Sequence, residues 1–167
     1  MSPKQARGAD TVERVLDAAL ALHASQGHGG LTMSALIAKT GISSGSIYHH
    51  FGSLDGLCAA LYARCMAALL DEIITGLEGA GTARGGVEAL VHAYLGFTRD
   101  QRAAAYFIHA SSYAGFLPAH RHRVAEAKQP RMARINAWLR RHVQSGEVLA
   151  LPEPLTEMLV IGPVAET

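Results

Sequence analysis

The chain has few cysteines, and it lacks the long apolar runs of membrane-spanning helices and secretory signals. Its 167 residues include only two cysteines, Cys58 and Cys65, which are too far apart along one predicted helix to form a disulfide. We interpret both as reduced thiols packed as small hydrophobic residues. No apolar run approaches the about 20 residues that a membrane-spanning helix needs, and the segment MSPKQARGAD lacks the apolar core of a secretory signal. We therefore expect a cytoplasmic protein with no membrane partner.

Catalytic motifs and a strong charge imbalance are also missing. The sequence has no GxSxG, P-loop, GxGxxG or HExxH arrangement, and its 15 basic residues nearly balance its 14 acidic ones. His120 and His122 in AHRHR are two residues apart, which places them on different sides of a helix and favours a basic solvent-exposed face over a metal site. We predict no enzymatic activity, no cofactor and no metal site. With 49% hydrophobic residues, the chain can bury the core of one or two helical domains.

The most informative stretch is TMSALIAKTGISSGSIYHHF, residues 32–51. Apolar residues at helical spacing predict a helix that Thr32 caps and that starts near Met33. Gly41 suits the left-handed conformation that ends a helix, and Ser43 can cap a second helix running to about Phe51. Two short helices joined by a glycine turn are typical of the helix-turn-helix, whose second helix enters the major groove of DNA. A generic helical hairpin stays open as an alternative.

A longer segment, VLDAALALHASQGHGGLTMSALIAKTGISSGSIYHHFGSLDGLCAAL, resembles the tetracycline-repressor (TetR) family of bacterial transcriptional regulators. The resemblance extends from Asp10 to Leu61 and is closest in SIYHHFGSLDGL. The family usually has lysines where this chain has Ser44 and Leu54, so two phosphate contacts are missing. The resemblance implies an all-α protein. Residues 1–55 would form a three-helix helix-turn-helix domain with an N-terminal arm, and residues 56–167 a helical bundle for ligand binding and dimerisation, with a last helix trimmed at Thr167.

The resemblance also implies which residues face DNA. Gly45 would permit close approach of the backbones, and Thr32 and Tyr48 would hold phosphates. Lys4 and Arg7 lie on what we expect to be a loose arm that could reach DNA, with a solvated tail as the alternative. Residues 1–60 carry as many acidic as basic residues, which argues against strong non-specific binding. The complete predicted DNA-binding set is Lys4, Arg7, Thr32, Ser34, Ser43, Ser44, Gly45, Ser46, Tyr48, His49 and His50.

Other helices are predicted from apolar spacing, caps and breakers. The first would begin at Thr11, with Asp10 and Glu13 resembling a capping box, and the connector helix would begin after Ser53. Pro130 should break or kink a late helix. The predicted elements are helices at 11–26, 33–40, 43–51, 53 to 75 or 77, 87–98, 102–112, from Pro118 and 131–145, a loop at 76–86, and a last helix after Pro154.

Regulation is implied by the resemblance alone. Members of the family typically bind a small effector among their C-terminal helices. Candidate pocket residues are Met66, Tyr94, Phe97, Tyr106, Phe107, His109, Tyr113, Phe116 and Trp138, although aromatic residues at this spacing also suit a plain core. The predicted function is a homodimeric repressor released from a pseudopalindromic double-stranded DNA operator by an unknown small-molecule effector. An effector-independent or protein-responsive DNA binder and a helical carrier that does not bind DNA are the alternatives.

Overall fold

A computed structural model describes residues 3–111 and 115–150, with side chains described from residue 6 onward. Every regular element in these residues is helical, which confirms the predicted all-α class. None of the described helices is both long and apolar enough to cross a membrane. The elements are α1 (Pro3–Gln26), a single 3-10 turn (His28–Gly30), α2 (Met33–Thr40), α3 (Ser44–Phe51), α4 (Leu54–Gly79), α5 (Ala83–Asp100), α6 (Arg102–Ser111), α7 (Phe116–Ala119) and α8 (Arg121–Gln144).

Packing divides the chain into two compact units. Unit 1 comprises Met1–Cys65 and Ala103–Ala125, and unit 2 comprises Met66–Arg102 and Glu126–Thr167. Unit 1 therefore combines α1, α2, α3 and the first part of α4 with most of α6, α7 and the start of α8. This division differs from the boundary near residue 55 predicted for the domains, because packing rather than chain continuity defines a compact unit. The boundary of a separately functioning domain stays a prediction.

The core of unit 1 draws on five different helices. Val15, Leu36, Ile47, Leu57 and Phe107 come from α1, α2, α3, α4 and α6, and each is fully buried. Burial of such a side chain contributes about 1.5–3 kcal/mol relative to exposure. Because Ile47 anchors one side of α3 in this core, the opposite side of that short helix faces solvent.

Unit 2 is stabilised by an apolar core and by ion pairs between α4 and α8. Its buried side chains include Ile73, Ile74 and Leu77 of α4, Leu90, Tyr94 and Phe97 of α5, and Trp138 of α8. Arg131 donates two hydrogen bonds to Asp71, at 2.9 and 2.7 Å. Arg134 binds Glu78 in the same bidentate way, at 3.0 and 2.7 Å. These planar pairs fix α8 against α4.

The predicted loose N-terminal arm is wrong, because α1 already begins at Pro3. Proline suits the first helical position, since its missing N–H would lack a partner there anyway, and the residues that follow it include good helix formers such as lysine, glutamine, alanine and arginine. Asp10 and Glu13 consequently lie inside the helix and do not form a capping box at its start.

The loop predicted for residues 76–86 is also mostly wrong, because only Ala80, Gly81 and Thr82 separate α4 from α5. The hydroxyl of Thr82 accepts a hydrogen bond from Gly85 N at 3.1 Å and caps α5. The Ala83 amide donates to Glu147 Oε2 at 2.8 Å, and this bond lowers the pKa of the Glu147 carboxyl. Long-range contacts therefore hold a glycine-rich sequence in helical form.

Pro130 does not end a helix, contrary to the predicted break. It lies inside α8, which runs without interruption from Arg121 to Gln144. Proline removes one backbone hydrogen bond from a helix, but the guanidinium of the next residue, Arg131, donates to the Ala127 carbonyl at 2.8 Å while it also binds Asp71. The helix is thus held on both sides of the proline. The predicted last helix, after Pro154, lies outside the described residues.

Candidate nucleic-acid interface

The first helix of the predicted motif has the bounds expected from the sequence. Thr32 has an extended backbone, and its hydroxyl accepts a hydrogen bond from the Ala35 amide at 3.2 Å. The Thr32 and Ser34 hydroxyls lie 3.1 Å apart, and both residues are exposed. One of the two hydroxyls donates to the other, and the remaining hydroxyl hydrogen can be donated outward, so this start of α2 can bind a phosphate oxygen.

The turn between α2 and α3 is built as the sequence predicted. Gly41 has φ 69°, in the left-handed region, and its amide donates to the Ile37 carbonyl at 2.9 Å. Thr40 reinforces the end of α2, because its hydroxyl donates to the Leu36 carbonyl and accepts from the Ile42 amide. The chain then enters α3 with its direction fixed by a residue without Cβ.

The second helix is capped and oriented by local contacts. Ser43 Oγ accepts a hydrogen bond from Ser46 N at 3.3 Å, and Gly52, with φ 76°, ends the helix. Ile47 and Phe51 face the core of unit 1. The outer face of α3 carries side chains that can donate or accept hydrogen bonds, with Ser46 and His50 half-buried and the others exposed. They are Ser44, Ser46, Tyr48, His49 and His50.

Gly45 stands on this outer face for no reason that the fold supplies. It is exposed, its φ is not positive, and a Cβ added there would meet no atom within 4 Å. An alanine at a compatible helical position stabilises a protein by about 0.4–1 kcal/mol relative to glycine. On the polar, exposed face of α3, the missing side chain leaves the backbone open to close approach by an external partner.

Two of the basic residues near the motif have internal partners, and Lys39 of α2 is exposed. Arg64 donates to Glu13 and Asp17 at 2.9 and 2.8 Å, and Arg14 donates to the Thr40 carbonyl at 3.2 Å. Arg7 is exposed on α1. The backbone of Lys4 belongs to the same helix, and its side chain lies outside the described ones. A DNA contact by Lys4 or Arg7 stays a prediction, now from a helix rather than an arm.

The predicted effector residues are divided between the two units. Unit 2 holds Met66, which is half-buried, together with the buried Tyr94, Phe97 and Trp138, and unit 1 holds the buried Phe107 and Phe116. Tyr106 of unit 1 is 56% exposed, and His109 is also exposed. Tyr113 lies outside the described residues. Within either unit alone, the structure brings together only part of the predicted set.

Two buried ring nitrogens, one of His23 and one of Trp138, lack a hydrogen-bond partner among the described residues. His23 is 1% exposed and packs against Phe107 of α6, with ring centroids 4.8 Å apart, and its Nδ1 has no hydrogen-bond partner in the described part of the chain. Burial, and to a smaller extent His28, lower the pKa of His23. Trp138 Nε1 of unit 2 is likewise buried and unpaired there.

The two cysteines are free and buried, as predicted. Burial raises the pKa of the Cys58 thiol and of the Cys65 thiol to about 11. A thiol with so high a pKa is a poor nucleophile at neutral pH, since the thiolate is the reactive form.

Known proteins share both this segment and this fold. Residues 15–61 match the family described as bacterial regulatory proteins, tetR family. The HTH-type transcriptional regulator BetI of Rhizobium meliloti (strain 1021) is 33% identical over 96 residues, which are 56% of this chain and 46% of BetI. The chain thus spans about half the length of the curated relative it matches.

Solved structures agree along most of the chain. A tetR family transcription regulator from Shewanella sp. PV-4 superposes with a TM-score of 0.76 and 22% identity, covering 93% of this chain and 81% of that one. A TetR family regulator from Marinobacter aquaeolei VT8 gives a TM-score of 0.72 and 16% identity, with 96% and 83% covered. The segment that matches the tetR family model runs from α1 into α4, and the solved structures show that the chain shares their fold.

Proposed function

We propose that this protein is a DNA-binding transcriptional regulator that inserts α3 into the major groove of its operator. The observation that carries the proposal is the outer face of α3, where polar side chains surround Gly45, a residue that packing does not require. The major groove admits an α-helix, and serine and histidine side chains can hydrogen-bond base edges there. Such a regulator acts where chromosomal DNA is, in the cytoplasm.

Phosphate contacts would fix the protein on the duplex, while α3 reads the bases. Tyr48 is 49% exposed, and its phenol can donate to a phosphate oxygen. Thr32 and Ser34 at the start of α2 offer hydroxyl donors, and Ser44 and Ser46 at the start of α3 lie where helix-turn-helix proteins contact base edges. Lys4, Arg7, Ser43, His49 and His50 complete the proposed set.

A two-fold homodimer forms part of this proposal. One short recognition helix offers few base contacts, whereas two helices spaced by one or more turns of DNA read a pseudopalindrome with useful specificity. We propose that the dimer represses transcription when bound and leaves the operator when an effector occupies the C-terminal helices.

Fluorescence anisotropy on a duplex recovered by selection from a random pool tests the DNA proposal. Gly45→Ala should raise the free energy of unfolding by about 0.4–1 kcal/mol, yet weaken binding at least tenfold, about 1.4 kcal/mol. His49→Ala should weaken binding by about 1–3 kcal/mol if it reads a base.

Two matched variants serve as controls. Gly96→Ala changes a glycine of α5 that also has open space around it, and His92→Ala removes an exposed histidine of the same helix. Both should bind DNA like the wild type. Equal affinities for Gly45→Ala and Gly96→Ala would contradict the assignment of α3 as the reading helix.

The effector proposal is supported by Trp138. Its indole N–H is buried in unit 2 without a partner among the described residues, and an oxygen acceptor of a small molecule would satisfy it. Between Val87 and Trp138 the sequence has only three carboxylates, Glu88, Asp100 and Glu126, and two of them, Glu88 and Asp100, bind Arg84 and Arg99. A neutral or anionic effector therefore suits this segment better than a cationic one. An effector-independent regulator is the alternative.

Trp138 is the only tryptophan, so intrinsic fluorescence reports on this unit directly. Titration with matched anionic, neutral and cationic aromatic compounds should change the emission at lower concentrations for the first two classes. Trp138→Phe keeps an aromatic ring but removes the donor, and it should lose the rise in Tm that an active compound gives to the wild type. A larger response to cationic compounds would contradict the proposal, and no response to any class would favour the effector-independent alternative.

A further inference from the structure

The AHRHR segment places two arginines at the start of α8, where they do not stabilise the helix. Arg121 and Arg123 lie in the first turn of α8, which contains no acidic residue. The N-terminus of a helix carries a partial positive charge, so cations there are unfavourable by about 0.3–1 kcal/mol each. The segment thus places positive charge where the helix itself disfavours it.

The position of this turn is fixed by a contact within unit 1. Arg123 Nη1 donates a hydrogen bond to the Gly56 carbonyl at 3.3 Å. Gly56 lies in the first turn of α4, four residues after Gly52, which ends α3. The start of α8 therefore lies beside the segment by which the chain leaves the recognition helix. In the proposed complex α3 lies in the major groove, so the segment that leaves it would lie near the phosphate backbone that borders the groove.

The start of α8 also supplies most of the net positive charge of unit 1. Its part Met1–Cys65 has five basic and four acidic residues, whereas its part Ala103–Ala125 has two arginines and no acidic residue. Two of the three net positive charges therefore come from α8, outside the helix-turn-helix. Arg121 is exposed and has no carboxylate partner in the described part of the chain. The acidic residue closest in sequence to Gly56 is Asp55 of α4, which is also exposed.

We infer that Arg121 is a phosphate-binding residue for the DNA backbone beside the recognition helix, and that Arg123 positions it by holding the start of α8 against α4. This inference rests on the proposed DNA-binding function. Arg121 supplies a cation that the recognition helix lacks, since α3 contains neither lysine nor arginine. Even at a distance of about 10 Å its charge would still act on phosphates, because the Debye length is of that order at 0.1 M salt.

The test is the salt dependence of binding to two duplexes of about 30 base pairs, one carrying the selected operator and one unrelated. Each phosphate contact contributes about 0.9 to the slope of log K against log salt concentration. Arg121→Ala should make the slope shallower by about one for each bound protomer, and it should weaken binding to both duplexes by the same factor. Arg121→Lys should restore the slope, because it keeps the charge.

Arg140→Ala is the matched control, since Arg140 is an exposed arginine of the same helix in unit 2. Its slope should equal that of the wild type. If Arg121→Ala also matches the wild type while the wild type binds both duplexes, this inference is overturned and the proposed function stands. If the wild type binds neither duplex at low salt, both are overturned. Thermal melting of each variant verifies that it is folded.

Discussion

The two compact units differ in charge although the whole chain is nearly neutral. By sequence, unit 1 has seven basic and four acidic residues, and unit 2 has eight basic and ten acidic residues. Unit 2 pairs four of its seven arginines with carboxylates, including Arg131 with Asp71 and Arg134 with Glu78, while Arg102, Arg140 and Arg141 are exposed. In unit 1, Arg7, Lys39 and Arg121 stay exposed. The net charge of +1 for the chain is therefore the sum of a positive unit 1, which contains α3, and a negative unit 2.

The difference teaches where electrostatic affinity for DNA should reside. Phosphate attraction depends on cations that remain available, and a cation already paired with a carboxylate contributes little. Counted along the sequence alone, the first 60 residues are balanced, and that balance opposes DNA binding. When the charges are counted over unit 1 instead, Arg121 and Arg123 of α8 are added to those of the first 65 residues. Changes in unit 2 should therefore alter stability, while changes in unit 1 alter the response to salt and pH.

The largest expected effect on stability comes from Gly86→Ala in unit 2. A Cβ on Gly86 would overlap the indole ring of Trp138, which is 5% exposed and has little room to move. Overpacking of this kind costs about 1–3 kcal/mol. The free energy of unfolding from urea titration should fall by that amount, while the salt slope of DNA binding stays at the wild-type value.

Gly96→Ala again provides the reference, because its Cβ would meet open space. It should stabilise the protein by about 0.4–1 kcal/mol. If Gly86→Ala had a shallower salt slope at a temperature where it is fully folded, this would contradict the expectation that changes in unit 2 alter stability without altering the salt dependence of DNA binding.

A smaller effect should distinguish His23 from Trp138. Both are buried, and each has a ring nitrogen with no hydrogen-bond partner in the part of the chain that the structure describes. Only histidine can take up a proton in the physiological range. Burial and His28 lower the pKa of folded His23 below 6.5, so the unfolded chain binds the proton more readily. Stability from neutral His23 is therefore complete above about pH 6.5 and is lost as the pH falls below that value, with a slope of at most about 1.4 kcal/mol per pH unit.

His23→Leu isolates this contribution from those of the other histidines. The difference in unfolding free energy between wild type and His23→Leu should change between pH 7.5 and 5, with the wild type losing more stability at the acid end. A difference that is independent of pH would show that His23 stays neutral in both states or charged in both. Trp138→Phe, compared in the same way, should give a constant difference.

The parts of the fold that the sequence predicted well are those with local causes. Met33–Thr40 has its predicted bounds, because Thr32 and Gly41 cap it within a few residues. Ser53 also begins α4 as expected, since its hydroxyl accepts from the Gly56 amide at 2.9 Å. Caps and glycine turns act over three or four residues, so a sequence displays them directly.

The errors have causes that are distant in sequence. The helix through residues 83–86 depends on Glu147 and Trp138, and the continuity of α8 at Pro130 accompanies an ion pair with Asp71. No local pattern reveals such partners. The contact between AHRHR and α4 is likewise not visible in the sequence, because Gly56 is 67 residues away from Arg123 in the chain.

The most direct test of the central claim is a methylation footprint of the wild-type protein on its selected operator. Dimethyl sulfate modifies N7 of guanine in the major groove and N3 of adenine in the minor groove. If α3 reads the major groove in a two-fold dimer, guanine N7 should be protected in two half-sites whose centres lie about 10–10.5 base pairs apart or a multiple of that distance. Protection of adenine N3 alone, with every guanine N7 still reactive, would contradict the account.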